Sequence, residues 1–329
     1  MPDLYDVAAI GNAIVDVIAP CDDAFITDNG LEKGAMMLVD ADQSAALYAR
    51  MTAGIEASGG SAGNTIAGVA SFGGKAAYLG KVADDQLGQV FAHDMRAVGA
   101  HFDVAPLVGG KATAVSMINV TPDGQRTMCT FLGASVEFTD ADVDKTVVEG
   151  AKIVYLEGYL FDAEPARRAF AKTAALAHGA GRMIALTLSD GFVVERHRAG
   201  LLGFIEGQVD LLFANETEIC SLFQTDDFDA AVEQLRPHVK LAAVTRGAAG
   251  SVILSQGERL SVKAEPVEKI VDTTGAGDQY AAGFMFGLSR GRPLQQCGRL
   301  ASLAAAEVIS HYGPRPQVSL KDLAASRGY

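Results

Sequence analysis

The 329-residue chain is short of cations, of clustered cysteine and of long hydrophobic runs. Lys and Arg number 27 against 40 Asp and Glu, a formal net charge of −13. A nucleic-acid duplex is therefore excluded as the main partner, because no surplus of cations exists to displace phosphate counterions. A small anion held by a few local donors remains compatible with that charge. Cys21, Cys129, Cys220 and Cys297 form no C-x-x-C, and the six histidines form no H-E-x-x-H, so no zinc or redox motif is supported. A reduced, cytoplasmic chain is the expectation. The opening residues Met1-Pro2-Asp3-Leu4-Tyr5-Asp6 lack the basic region of a secretory signal. The longest apolar stretches, such as Tyr280–Leu288, fall well short of the roughly 18–20 residues that cross a bilayer, so no membrane partner is expected. Proline is scarce, at 10 residues, and no Gly-X-Y period runs through the 36 glycines, which excludes a collagen-like chain.

What is present is an ordinary globular composition, 49% hydrophobic and 20% charged. Apolar runs at Val7–Ile10, Ala76–Leu79, Ile153–Leu156, Met183–Leu188, Val209–Phe213 and Leu241–Thr245 read as strands. Helices are expected over Asp40–Met51, Gln86–Val98, Glu164–His178, Phe192–Phe204, Asp227–Leu235, Asp278–Leu288 and Pro293–Ile309. Ser251–Leu254 and Arg259–Lys263 read as a hairpin. This alternation predicts an α/β fold with a doubly wound, mainly parallel sheet flanked by helices. It is broken once. His101–Leu107, Ala112–Val120 and Arg126–Leu132 read as three short strands of a small inserted antiparallel sheet, the last two joined by the turn Thr121-Pro122-Asp123-Gly124. No Pro-, Gly- or Ser-rich linker separates two halves, so residues 1–329 read as a single domain.

The glycines concentrate. Residues 59–88 hold eight of them, beginning Gly59-Gly60-Ser61-Ala62-Gly63-Asn64. A tight turn into a small-residue helix accounts for this, and it also leaves backbone N–H groups and the Asn64 amide open to a ligand. Gly59–Gly63 matches the G-x-S-x-G elbow of serine hydrolases, but the preceding Ala53–Ala57 is weak as a strand. The second segment is Asp272-Thr273-Thr274-Gly275-Ala276-Gly277-Asp278, opening a helix. Its small residues let consecutive N–H groups share one space at a helix start, an anion site. Asp278 there is either a helix cap or a general base for a hydroxyl attacking a bound phosphorus. Neither a Walker A sequence nor a G-x-G-x-x-G after the first strand occurs.

Taken in order, these segments resemble the ribokinase-like sugar kinases, the phosphofructokinase-B group. The first signature runs from Gly59-Gly60-Ser61-Ala62-Gly63-Asn64 to Gly80-Lys81-Val82-Ala83-Asp84-Asp85-Gln86-Leu87-Gly88; the second is Asp272–Asp278 with Gly283-Phe284. Asn215-Glu216-Thr217-Glu218 is similar to the family's N-x-x-E element, and Val244-Thr245-Arg246-Gly247 to its nucleotide-side strand and turn. Within the family, Gly11-Asn12-Ala13-Ile14-Val15-Asp16 and Leu212–Glu218 are closest to the adenosine kinase wording. Leu186–Phe192 resembles an N-L-S-x-P-F loop, departing from it at Thr187 and Gly191.

The resemblance implies an ATP-dependent phosphotransferase acting on a primary hydroxyl, of adenosine or of a carbohydrate such as ribose, fructose or a keto-deoxy sugar acid. It also implies a lid inserted from about 12–39 and 101–135. Asn12, Asp16, Gly59, Gly60 and Asn64 would hold the acceptor, with Phe192 on a base. Asp278 would be the base, Gly275, Ala276 and Gly277 the anion hole, and Arg126 a lid residue reaching the moving phosphate. Asn215, Thr245 and Gly247 would line ATP. Mg²⁺ would sit near Glu218 through water, and K⁺ near Asp272 and Thr274. Met36, Met37, Leu38, Met128 and Leu132 would form an apolar lid face, or ordinary core. His311 and Cys297 read as packing residues. A monomer or a homodimer fits the resemblance, and a non-catalytic binding protein is a remote alternative.

Overall fold

The computed structural model describes residues 4–255 and 257–329. Its strands are β1 Tyr5–Ile10, β2 Ile14–Pro20, β3 Met36–Leu38, β4 Ile55–Ser58, β5 Ala76–Leu79, β6 Ala100–His101 and β7 Ala114–Val120. They continue with β8 Arg126–Phe131, β9 Ala151–Glu157, β10 Met183–Thr187, β11 Leu211–Asn215, β12 Leu241–Thr245, β13 Ser251–Ser255 and β14 Glu258–Val262. Nine of them form one sheet in the order β14-β13-β12-β11-β10-β9-β1-β5-β6. All its pairings are parallel except β12–β13 and β13–β14, the hairpin edge. The inner strands are apolar along their length because helices cover both faces. Ala8 and Ile10 pack into one buried layer, and Val7 and Ala9 into the other. The chain moves from β1 to β5 on one side and resumes from β9 on the other, so the order reverses between β1 and β9. Ligands of open α/β sheets bind at the carboxyl ends of strands at such a reversal.

The second sheet has five strands in the order β3-β8-β7-β2-β4. It departs from the expected small antiparallel sheet in two ways. β2–β7 and β3–β8 are parallel, and only β7–β8 and β2–β4 are antiparallel. His101–Leu107 is not one of its strands: β6 joins the large sheet, and Leu107 makes a single bridge to Ala83. The apolar signal there came from Phe102, which plugs the core against Tyr78 and Phe91. Conversely Ile55–Ser58, weak by composition, forms an edge strand because β2 supplies its pairing.

One face of this sheet is core. Val15, Val17, Met117 and Cys129 pack with Leu47, Phe91 and Met95 of two helices. The register sets the opposite face as two rows. Ala57, Asp16, Ser116, Thr130 and Leu38 stand side by side, and next to them Ile55, Ile18, Ile118, Met128 and Met36. Three of these are strongly exposed: Met36 at 50%, Leu38 at 62% and Ile55 at 70%. No helix among the described residues is long and apolar enough to cross a membrane.

Candidate active site

The site is assembled at the carboxyl ends of β1 and β9. Glu157 ends β9 and is 1% exposed. Its Oε1 accepts from the Asn12 backbone N–H at 3.2 Å and from Asn12 Nδ2 at 2.9 Å, while Oε2 accepts from the Ala62 N–H at 2.9 Å. One buried carboxylate thus ties the turn after β1 to the start of the helix Ser61–Ser71. Burial, with repulsion from Asp278, pushes Glu157 up to about 7 against the pull of these three donors.

Asp278 is not a helix cap. Gly275 caps the helix Ala276–Ser289, at φ +80°, with Pro314 backbone 2.6 Å from where a Cβ would stand. Asp278 lies one turn in and faces the other glycine-rich segment. Ser61 Oγ donates to its Oδ1 at 2.6 Å, and Asn64 Nδ2 to its Oδ2 at 3.2 Å. Asp16 projects from β2 towards the same recess, its carboxylate so close to Gly59 that a Cβ there would lie 2.3 Å from Oδ2. Both aspartates keep some accessible surface inside a recess walled by protein. That enclosure raises each to about 6, opposed for Asp278 by Ser61, Asn64 and Arg315, and for Asp16 by Arg315 and Arg126. Asp278 also pushes Asp16 up.

At the start of the same helix, the N–H groups of Gly275, Gly277 and Asp278 find no acceptor among the described residues. Gly277 is exposed, and a methyl group placed on its Cα would meet nothing beyond its own turn of helix within 4 Å among the described residues. This is a donor set open to an anion. Ala276 departs from the expectation: its N–H turns to the Thr273 carbonyl at 3.2 Å, because Gly275 in the left-handed region closes a turn there. Arg126 reaches this loop from β8, with Nη1 2.9 Å from Asp272 Oδ2. The ion pair is close, but its N–H directions miss the carboxylate, and Arg126 Nε and Nη1 are buried without a hydrogen-bond partner among the described residues. A buried guanidinium with undirected N–H groups suits an anion arriving between them.

Asn215 and Thr245 stand opposite each other in register at the ends of β11 and β12, followed by the exposed turn Gly247–Ala249. Asn215 caps the helix Glu216–Phe223. Its backbone N–H and Nδ2 donate to Glu218, at 2.9 and 2.8 Å. Glu218 is 5% exposed, and burial plus the repulsion of Asp190 raises it to about 7. A buried carboxylate under that strain fits a cation nearby. Among the described residues no three His, Cys, Asp or Glu cluster as ligands, so the fit is to Mg²⁺ that arrives hydrated on phosphates. The Asp272 carboxylate, expected near a potassium ion, is engaged by protein donors. Its Oδ1 accepts from the Thr274 N–H and Oγ1, and its Oδ2 from the Gly313 N–H, with Arg126 beside it.

Phe192 is not brought into this cluster. It stands 70% exposed at the start of the helix Gly191–Gln208, with no ring neighbour among the described residues. Of the apolar lid set, Met36, Leu38 and Met128 share the face of Asp16, Met37 lies on the opposite face beside Cys129, and Leu132 is half-buried just past the end of β8. Cys297 is fully buried in core, and His311 bonds Glu307 at 3.1 Å. Ser61 follows a real strand, yet its hydroxyl is bonded to Asp278 and not to a histidine, so the hydrolase elbow is not formed. Sequence reasoning missed Glu157 and the segment 313–315. Gly313 bonds Asp272, Pro314 packs on Gly275, and Arg315 bonds Asn64 at 3.2 Å.

A family model described as pfkB family carbohydrate kinase matches residues 35–320. The crystal structure of adenosine kinase from Sinorhizobium meliloti is 54% identical, covers 98% of this chain and 99% of its own, and superposes with a TM-score of 0.91. A structure described as a probable sugar kinase protein from Rhizobium etli CFN 42 is 50% identical over 99% of both chains, with a TM-score of 0.92. Adenosine kinase of Saccharomyces cerevisiae is 28% identical over 330 residues, 93% of this chain and 95% of its own. Both structures align with nearly the whole chain.

Proposed function

Since this chain belongs to the pfkB family of carbohydrate kinases, phosphotransferases with an alcohol as acceptor, we propose that it transfers the γ-phosphoryl of ATP to the 5′-hydroxyl of adenosine. The observation that carries the nucleoside reading is the open face of the small sheet. Met36 and Leu38 are exposed there, in line with Asp16, Ile18 and Met128. A sugar offers hydroxyls to Asp16 but little flat apolar surface to that row, whereas a purine nucleoside offers both.

Asp16, Asn12 and Asn64 bind the ribose hydroxyls, with the backbone at Gly59 and Gly60 close beside them. Asp278 accepts the proton of the attacking hydroxyl, held in one orientation by Ser61 and Asn64. The free N–H groups of Gly275, Gly277 and Asp278 receive the charge of the moving phosphoryl group, and Arg126 adds to that from the small sheet. Asn215, Thr245 and Gly247 line the nucleotide. Mg²⁺, when bound, neutralises phosphate charge, and Glu218 with Asn215 would hold its water shell. The small sheet acts as a lid that excludes water from the transfer.

A carbohydrate acceptor is the second reading. Ser116 and Thr130 sit beside Asp16 in register, 7% and 8% exposed, with their hydroxyls 3.0 Å apart. Such a pair would read a further sugar hydroxyl. The experiment is ADP release with Mg-ATP against a panel of nucleosides and sugars, with Asp278→Asn alongside. Turnover of ribose or fructose but not adenosine overturns the nucleoside assignment. Full activity in Asp278→Asn overturns the mechanism.

A further inference from the structure

Arg315 takes no part in the reading above, yet it bridges its components. It stands between Pro314 and Pro316, after the helix Leu294–Val308. Its Nε donates to Asn64 Oδ1 at 3.2 Å, its Nη1 donates to Ser58 Oγ at 2.8 Å, and its Nη2 lies 3.9 Å from Met95 Sδ. Ser58 in turn donates its N–H to Asp94 at 2.9 Å. One guanidinium therefore touches the end of β4, the helix Ser61–Ser71 and the helix Gln86–Ala97.

The consequence falls on Asn64. The two ends of an amide have nearly the same shape, and their partners decide which way each points. A guanidinium only donates, so the amide oxygen must face Arg315. The NH₂ end is then aimed at Asp278 Oδ2, while Ser61 holds Oδ1.

We propose that Arg315 is a positioning residue: it selects the Asn64 orientation that presents NH₂ to Asp278, and it sets one positive charge among Asp16, Asp94 and Asp278. This rests on the reading of Asp278 as the base. The charges point the same way. Arg315 opposes the upward push on both Asp16 and Asp278. The other groups facing this pair are Arg126 at Asp16, and Glu157, Tyr155 and Tyr159 around Asp278. Without Arg315, two carboxylates in one recess lose a shared counter-charge.

The test is ADP release from pH 5 to 9 for the intact enzyme, Arg315→Met, Arg315→Lys, Asn64→Ala and Arg315→Met/Asn64→Ala, with a melting curve for each. Arg315→Met is expected to move the acidic limb of kcat upward by about one pH unit. Arg315→Lys is expected to return the limb to its original place while kcat stays reduced. The double variant is expected to be no worse than the more damaging single one, because both changes break one chain of contacts. Should Arg315→Met not fold, Arg315→Lys decides: reduced kcat at an unchanged limb supports the role, and full kcat overturns it. A limb and kcat that Arg315→Met leaves in place, with only the melting temperature lowered, overturn the role of Arg315 alone. An intact enzyme without any acidic limb overturns the base reading, and the role of Arg315 with it.

Discussion

Arg126 and Asp272 join the small sheet to the loop that opens the helix Ala276–Ser289, 2.9 Å apart and each about a tenth exposed. The pair is asymmetric. Asp272 is held below its usual range despite burial, by the Gly313 and Thr274 donors and by Arg126. Arg126 gains only proximity from Asp272, beside a Tyr312 ring 5.6 Å from its guanidinium carbon, and among the described residues its Nε and Nη1 have no hydrogen-bond partner. The relationship suits a residue whose better partner is a phosphate.

Arg126→Met should therefore lower kcat by roughly 10²-fold, the scale of losing one preorganised donor to developing charge. Affinity for the acceptor should change far less, because the acceptor is held by Asp16, Asn12 and Asn64. Steady-state kinetics separates the two. An unchanged kcat removes Arg126 from the phosphoryl site.

Acidity should move activity and stability in opposite directions. The base works ionised, and Asp278 is raised to about 6, so kcat should fall about tenfold per unit below pH 6 and level off above it, with kcat/KM falling more steeply because Asp16 is raised to the same value. Asp16, Glu157, Glu218 and Asp278 all have folded values above their ordinary ones. Over that range the unfolded state binds fewer protons than the folded one, so stability falls as pH rises. The window runs from the ordinary carboxylate value of about 4 to the raised values of about 7. The melting temperature should thus be higher at pH 5.5 than at pH 8, where the enzyme is more active. A melting temperature that falls on going from pH 8 to 5.5 would mean these carboxylates are not raised.

Gly275 and Gly277 should separate fold from function. A Cβ on Gly275 meets Pro314 at 2.6 Å and sits at φ +80°, so Gly275→Ala should destabilise the chain as well as inactivate it. Gly277 has ordinary backbone, and among the described residues nothing beyond its own turn of helix lies within 4 Å of that position. Gly277→Ala should hold or raise stability, by up to about 1 kcal/mol from the stiffer unfolded chain. Its methyl group would still intrude where phosphate is expected, so kcat/KM for ATP should drop. Full activity in Gly277→Ala would move the anion elsewhere.

The parts of this site that the sequence made legible are local. Leu241–Thr245 and Ala76–Leu79 are strands with the expected bounds because a short apolar run between turn residues has few other uses in an alternating chain. Asp278, Asn64 and Asp16 were legible because each lies inside a contiguous pattern. Glu157 and Arg315 were not, since their meaning arises from partners 95 or more residues away. Glu157 left one usable signal, a carboxylate ending an apolar strand where ligand ends of parallel sheets lie. Arg315 left none beyond its two flanking prolines. Phe192 shows the converse: a familiar loop wording did not bring the ring inward.

Leu38 offers the sharpest division between the two acceptors. It neighbours Thr130 in register and is 62% exposed on the face of Asp16, so the fold gains little from it. Leu38→Gln should leave stability within about 0.5 kcal/mol of the original. If a purine covers Leu38, the change forfeits the burial of the exposed three-fifths of that side chain, about 1–2 kcal/mol, or roughly a 5- to 30-fold rise in KM for adenosine. A sugar, bound at Asp16 and at the Ser116–Thr130 pair, does not cover that side chain, and its KM should stay put. The complementary change, Ser116→Ala, should then spare adenosine and weaken a sugar. Kinetics of both variants on both acceptors gives a two-by-two comparison. A Leu38→Gln enzyme with an unaltered KM for adenosine, beside a Ser116→Ala enzyme impaired on ribose or fructose, would hand the site to the carbohydrate reading.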